Sequence, residues 1–165
     1  MVRLFITLLA LMSAFATAQT TKTENLPEGT MGILTVKSMT EGQLFWLKGR
    51  VGQGVYTRVD EQNRHCSIEV PIAIGGFSKT QLAIHSVQGL MIAITSRELS
   101  DSLMSGQRIN SDDWVFRSAI ENQPADGYII SGIEPTEQFI LNSRRRWVSW
   151  LLDDTSKLIC LSVSQ

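Results

Sequence analysis

Cysteine and histidine are scarce, with two residues of each among 165. Zinc sites take three or four ligands of Cys, His or carboxylate type, usually as closely spaced pairs. The chain contains no Cys-x-x-Cys and no His-x-x-x-His. The glycine-rich residues 49–54 lack the order of a phosphate-binding loop. We therefore expect neither a metal centre nor a cofactor.

Neither sign of charge is in excess, because the chain has 15 Lys and Arg residues and 16 Asp and Glu residues. Nucleic-acid-binding domains carry a marked basic surplus. The sequence therefore predicts no nucleic-acid partner. It also lacks the Gly-x-Ser-x-Gly motif of serine hydrolases, which argues against that class of enzyme.

No hydrophobic run is long enough to span a bilayer, which takes about 20 residues. The longest, residues 4–15 (LFITLLALMSAF), follows Arg3 and precedes Ala16-Thr17-Ala18. A basic start, a short apolar run and a small-x-small site are typical of a secretory signal peptide. We expect residues 1–18 to be removed after Ala18, which predicts a secreted or periplasmic protein. A membrane anchor is the alternative.

Residues 64–74 (RHCSIEVPIAI) alternate between apolar and mostly polar positions. Alternation with a period of two predicts a β-strand with one buried face. Pro71 cannot donate a ladder hydrogen bond, so the strand is expected at an edge or broken there. Before it, residues 32–39, 43–51 and 55–60 are strand-like, and residues 52–54 (GQG) suggest a turn. The first half is thus predicted to be a meander of about four strands after a flexible lead-in at 19–30.

Residues 78–95 fit two interpretations. Ser78 to Gln81 form a capping box, and apolar residues follow at helical spacing. The β-branched residues of the second half and the central Gln88-Gly89 favour a β-hairpin instead. We prefer the hairpin.

Thr95 to Glu98 form another capping box, and Gly106 stands where helices usually end. A short amphipathic helix is therefore predicted over 96–105. Helix and strand both fit the segments after Ser111 and Pro135, whereas residues 127–133 are strand-like and 146–164 resemble a hairpin around a turn at 153–156. The predicted fold class is α+β, a mainly antiparallel sheet with a few short helices in one domain over 31–165.

Cys66 and Cys160 are an even pair in a chain with an export signal, which favours a disulfide. The alternative is a cysteine nucleophile with His65 or His85 as its base. His65 alternates with Cys66 along the strand, so the two side chains point to opposite faces.

The most unusual surface feature is a cluster of arginine and tryptophan, two residue types that are enriched in recognition surfaces. Its members are Arg144, Arg145, Arg146, Trp147 and Trp150. We expect an exported binding or accessory protein without catalytic activity, such as an inhibitor, immunity protein or envelope-assembly factor, whose partner is another protein. The alternative is a small secreted hydrolase that uses carboxylates or a Cys–His pair.

Overall fold

Strands make up most of the computed structural model, which describes residues 26–44, 47–77, 83–121, 123–134, 137–143 and 157–162. One α-helix and one short 3₁₀ turn, Ser111–Asp113, accompany the strands in these ranges. The helix is α1 (Arg97–Met104), and the strands are β1 (Gly32–Leu44), β2 (Leu47–Val59), β3 (Arg64–Phe77), β4 (Ala83–Ile94), β5 (Ile109–Asn110), β6 (Phe116–Ser118), β7 (Gly127–Ser131), β8 (Gln138–Leu141) and β9 (Ile159–Ser162).

The strands form a single curled sheet in the order β5-β8-β3-β2-β1-β4-β7-β6, and β9 pairs with β3 outside this path. The β6–β7 pair is parallel and the other pairs are antiparallel. The curl brings the two ends of the sheet together. Phe116 on β6 meets Phe139 on β8 edge to face, with ring centroids 4.8 Å apart.

The predicted α+β class is wrong, because the structure is mostly β. Two segments that could have been helices account for the difference. After Ser111 the chain makes a 3₁₀ turn and then β6, and the segment after Pro135 contains β8. Short segments take their secondary structure mostly from tertiary packing and not from their own propensity. Pairing with neighbouring strands decided their structure.

The prediction for residues 64–74 is confirmed by β3. Cys66, Ile68, Val70, Ile72 and Ile74 are all buried on the inner face of the curl. One edge of β3 pairs with β2 along its whole length. The other edge pairs with β9 at residues 64–67 and with β8 at residues 72–75. Pro71 lies between these two partners, and its carbonyl accepts a hydrogen bond from the Ser143 amide. β3 is therefore neither an edge strand nor broken at Pro71, so this prediction is wrong, and the gap lies between its partners β9 and β8.

The predicted turn at residues 52–54 is wrong, since Gly52 and Gly54 lie inside the continuous strand β2. Their α-carbons face the crowded inner surface. A β-carbon at Gly54 would lie 2.9 Å from the side chain of Val36. These glycines allow close packing inside the curl, and β1, β2 and β3 form a meander of three long strands.

The predicted hairpin around Gln88-Gly89 is also wrong, because β4 runs through both residues without a turn. Gly89 faces a β-bulge in β1 between Val36 and Met39. A β-carbon on Gly89 would lie 1.7 Å from the Val36 carbonyl oxygen. The glycine is required by close contact between two strands, and residues 78–82 lie outside the described ranges.

The predicted helix at 96–105 is confirmed by α1. The Ser96 side chain accepts a hydrogen bond from the Leu99 amide, and Gly106 follows the helix with φ +71°. Leu99 and Leu103 are fully buried. They attach α1 to a core whose other members come from the inner face of the sheet, among them Leu34, Val36, Tyr56, Ile68, Val70, Ile72, Leu90, Ile92, Ile94, Ile129, Phe139 and Leu141.

No helix in the described ranges is both long and apolar enough to cross a membrane. The predicted signal peptide at 1–18 and most of the lead-in at 19–30 lie outside those ranges. So does the first strand of the predicted C-terminal hairpin, whereas β9 confirms its second strand.

Candidate functional site

Charged side chains replace aliphatic ones at one end of the inner face of β2. Side chains alternate along a strand, so Lys48 and Arg50 lie on the same face as the buried Tyr56. Glu41 on the neighbouring strand β1 is buried, and its Oε2 lies 3.0 Å from the Lys48 ammonium. A polar cluster thus continues the apolar core.

Arg50 joins this cluster to the chain segment that connects β7 to β8. One guanidinium nitrogen donates to the Gly132 carbonyl at 2.7 Å, and another donates to Glu137 Oε2 at 2.6 Å. Glu137 Oε2 also accepts from the Glu134 amide at 3.0 Å. Only 12% of the Arg50 side chain is exposed, against 27% of the Glu137 side chain, so the guanidinium end of this charge-assisted network is the better shielded from water. It holds the connecting segment against the sheet.

A cavity of about 510 Å³ lies beside this network, and we call it the Arg50 cavity. Its volume falls in the range of small-molecule sites. Two cations, two carboxylates, two hydroxyl groups and three isoleucines line it together with glycine: Lys48, Arg50, Glu134, Glu137, Ser118, Ser131, Ile129, Ile130, Ile133 and Gly132. The lining is balanced in charge and offers hydrogen-bond donors and acceptors beside an apolar wall.

A second polar network lies near the opposite end of β2. The Tyr56 hydroxyl donates to Ser100 Oγ at 2.7 Å, and Arg58 donates to the same oxygen at 3.0 Å. Arg58 also pairs with Asp101 at 2.5 Å. Burial raises the pKa of Tyr56, while the hydrogen bond with Ser100 acts in the opposite direction. These contacts fix α1 across the sheet, which is a structural role.

Asp60 organises the turn between β2 and β3 beside that network. Its Oδ1 accepts from the backbone amides of Gln62 and Arg64, and its Oδ2 accepts from Arg64 Nε at 2.8 Å. The Arg64 amide bond is the main cause of a lowered pKa at Asp60, and burial partly offsets it. The carboxylate therefore stays ionised, which suits an acceptor and not a general acid.

The predicted disulfide is confirmed: Cys66 and Cys160 are bridged across a directly opposed pair of β3 and β9. No thiol is then available as a nucleophile, so the cysteine-enzyme alternative does not hold for this state. His65 is exposed, whereas Cys66 is buried, as the strand alternation predicts.

The structure brings together residues that the sequence did not single out. Glu137 is 87 residues from Arg50 in the chain, and nothing local indicates that the two meet. One usable signal was the periodicity of β2, since Lys48 and Arg50 stand in phase with Tyr56 and therefore on the buried face. The predicted patch of Arg144, Arg145, Arg146, Trp147 and Trp150 lies outside the described residues and stays a prediction.

The acidic pair Asp112-Asp113 does not line the Arg50 cavity. Asp112 and Asp113 lie in the 3₁₀ turn, and Asp112 accepts a hydrogen bond from Gln138 at 3.1 Å. The pair Asp153-Asp154 lies outside the described residues.

Comparison with protein-family models, curated proteins and solved structures finds no match for this chain.

Proposed function

We propose that this is an exported, non-catalytic binding protein that holds a small zwitterionic ligand, an amino acid or a dipeptide, in the Arg50 cavity. The observation that carries the proposal is the charge layout of the cavity. Lys48 and Arg50 come from β2, while Glu134 and Glu137 come from the segment between β7 and β8. Cations and carboxylates are thus supplied by different elements.

A zwitterion complements this layout better than a ligand of one charge. Its carboxylate would bind at Lys48, whose ammonium also contacts Glu41 at 3.0 Å, and its ammonium group at Glu134 on the exposed rim. An anionic polymer would approach the carboxylates of Glu134 and Glu137. A cationic polymer would approach the Lys48 ammonium and the Arg50 guanidinium. Like charges brought together cost several kcal/mol in such a site.

Arg50 is the positioning residue in this proposal. Its hydrogen bonds to Gly132 and Glu137 both go to the segment that forms one wall of the cavity. Because Glu137 receives the Arg50 guanidinium, the wall has a fixed position before the ligand arrives. A site that needs no rearrangement loses less entropy on binding.

Export is supported by two independent features. The amino-terminal residues have the pattern of a signal peptide, and the Cys66–Cys160 bridge is compatible with an oxidising compartment. The expectation of a protein partner is a separate prediction, because one end of a protein chain carries a single charge and not both. The patch at residues 144–150 is the candidate surface for that partner.

The experiment is a calorimetric titration of the oxidised protein with free amino acids, dipeptides and, for comparison, neutral monosaccharides. We expect zwitterions to bind, with at least a tenfold loss of affinity in Lys48→Met and in Glu134→Gln. Lys37→Met is the matched control, since Lys37 is exposed on β1 and outside the cavity. Failure of all zwitterions to bind, or undiminished affinity in Lys48→Met, would overturn the proposal.

Recovery of the dipeptides after incubation separates binding from hydrolysis. We expect them intact. Release of amino acids that is lost in Glu137→Gln would instead support the hydrolase alternative with this carboxylate as a participant.

A further inference from the structure

We propose that reduction of the Cys66–Cys160 disulfide converts this corner of the sheet into a binding site for a thiophilic divalent ion such as Zn²⁺, with Cys66, Cys160 and Asp60 as its ligands. The site lies apart from the Arg50 cavity, so the inference is independent of the proposed ligand. It concerns two thiolates and one carboxylate, a ligand set that zinc accepts.

The three side chains already converge. Cys66 and Cys160 are register partners on β3 and β9, with α-carbons 4.0 Å apart. Asp60 Oδ2 lies 3.6 Å from Cys66 Sγ. The three potential ligand atoms all lie within 4.8 Å of one another. Cleavage of the bridge would therefore leave both thiols beside the carboxylate.

The oxygen–sulfur distance agrees with tetrahedral coordination. A zinc–sulfur bond of about 2.3 Å and a zinc–oxygen bond of about 2.1 Å place the two ligand atoms about 3.6 Å apart. That is the separation of Asp60 Oδ2 and Cys66 Sγ. Two thiolates on one zinc lie about 3.8 Å apart. The sulfurs must therefore separate once their bond is broken, by rotation of the two side chains.

The surroundings supply the other requirements of a metal site, which are oriented ligands and an entry path. The Gln62 and Arg64 amides orient Asp60 through Oδ1, while the Arg64 guanidinium occupies Oδ2 through Nε and one terminal nitrogen. A cleft of about 760 Å³ lined by Asp60 and Arg64 gives access to the carboxylate from solvent. The Arg64 side chain is 44% exposed, so it can turn outward when an ion takes Oδ2. A water would complete the tetrahedron.

The chemistry has two steps. A dithiol reductant gives two electrons and two protons to the Cys66–Cys160 bond and becomes a disulfide itself, which leaves two thiols on the protein. The ion then binds both sulfurs and Asp60, and the two thiol protons are released. In the oxidised protein the bridge holds β9 to β3. In the reduced protein the ion would hold the same strands.

The test is titration of the full-length protein with Co²⁺, followed by competition with Zn²⁺. The protein is first reduced with a phosphine, which is then removed under anaerobic conditions. We expect one equivalent to bind with thiolate-to-cobalt charge-transfer absorption in the reduced protein, and no such absorption in the oxidised protein. Asp60→Asn should lower the affinity at least tenfold with the thiol count unchanged. Glu61→Gln is the matched control, because Glu61 is the adjacent, highly exposed acid.

Absence of stoichiometric cobalt binding to the reduced protein would overturn the proposal, as would equal affinity in Asp60→Asn and wild type. Far-ultraviolet circular dichroism before and after metal addition shows whether the reduced protein has lost its secondary structure. A reduced protein that is unfolded and does not refold with the ion would also overturn the proposal. A reduced protein that stays folded, or that regains structure on metal addition, and that binds one equivalent of Co²⁺ supports it.

Discussion

Phe116 on the last strand of the sheet order and Phe139 on the second meet edge to face, with ring centroids 4.8 Å apart and an interplanar angle of 65°. The contact joins strands near the two ends of the curled sheet. Phe139 is almost fully buried, and its amide donates to Ser111 Oγ at 2.9 Å. Packing of two aromatic rings thus takes the place of a backbone ladder between β6 and β8.

Phe139→Ala should lower the free energy of unfolding by about 3–5 kcal/mol, as expected when a large buried ring is removed. Denaturant unfolding measures this, and Val59→Ala on the exposed outer face should change it by less than about 0.5 kcal/mol. A double-mutant cycle with Phe116→Leu should give a coupling of about 0.5–1.5 kcal/mol. A coupling of zero would contradict the closing role of the ring pair.

Gly132→Ala should destabilise the protein by more than about 2 kcal/mol. Gly132 has φ +93°, and a β-carbon there would lie 2.4 Å from the Gly89 carbonyl oxygen. Gly42→Ala is the control, since its β-carbon would meet no atom within 4 Å. We expect that control to be neutral or to stabilise by up to about 1 kcal/mol. Thermal unfolding of the two variants gives the comparison, and equal melting temperatures would refute it.

A free-thiol titration of the purified protein, denatured without reductant, should find no thiol because Cys66 and Cys160 are bridged. The bridge joins residues 94 positions apart. The chain-entropy model gives such a loop about 4–5 kcal/mol of stabilisation as an upper value. Unfolding in the presence and absence of a phosphine reductant measures the loss. Two titratable thiols would show that the bridge does not form in that preparation.

Acid should weaken the fold partly through Asp60. Its pKa is lowered in the folded protein, chiefly by the Arg64 amide, so the unfolded chain binds its proton first as the pH falls. The stabilisation is present above about pH 4, the ordinary pKa of an aspartate, and is lost as the pH falls through the lower folded value. Unfolding curves from pH 6 to 2 should show a smaller decline in Asp60→Asn than in wild type. Parallel curves would contradict this assignment.

Alkali should act through Tyr56. Burial raises its pKa above 10.0 in the folded protein, so the unfolded chain loses the phenolic proton first. The stabilisation is complete below about pH 10 and falls as the pH rises through the folded value. Tyr56→Phe should lack this alkaline decline, and at pH 7 it should cost about 0.5–1.5 kcal/mol for the lost hydrogen bond to Ser100. The free energy of unfolding of wild type and Tyr56→Phe, measured between pH 8 and 11, tests this, and an equal alkaline decline in both would contradict it.

The sequence alone determined features with a clear local cause. The alternation of β3 identified its buried face, and Ser96 and Gly106 marked the ends of α1 with their capping chemistry. The scarcity of cysteine reduced the pairing problem to one bridge. Each of these follows from the period of an element or from the chemistry of a few neighbouring residues.

The tertiary structure decided what local chemistry left open. Glycine is common in turns, so Gly54 and Gly89 suggested turns. Both lie inside long strands, where close packing against β1 leaves no room for a β-carbon. Short segments that fit either helix or strand, such as β6 and β8, became strands because open edges of the sheet were available to pair with them. Arg50 and Glu137 meet only because the segment after β7 crosses to β8 over β2. Such a contact depends on the path of the whole chain, and no window of sequence contains it.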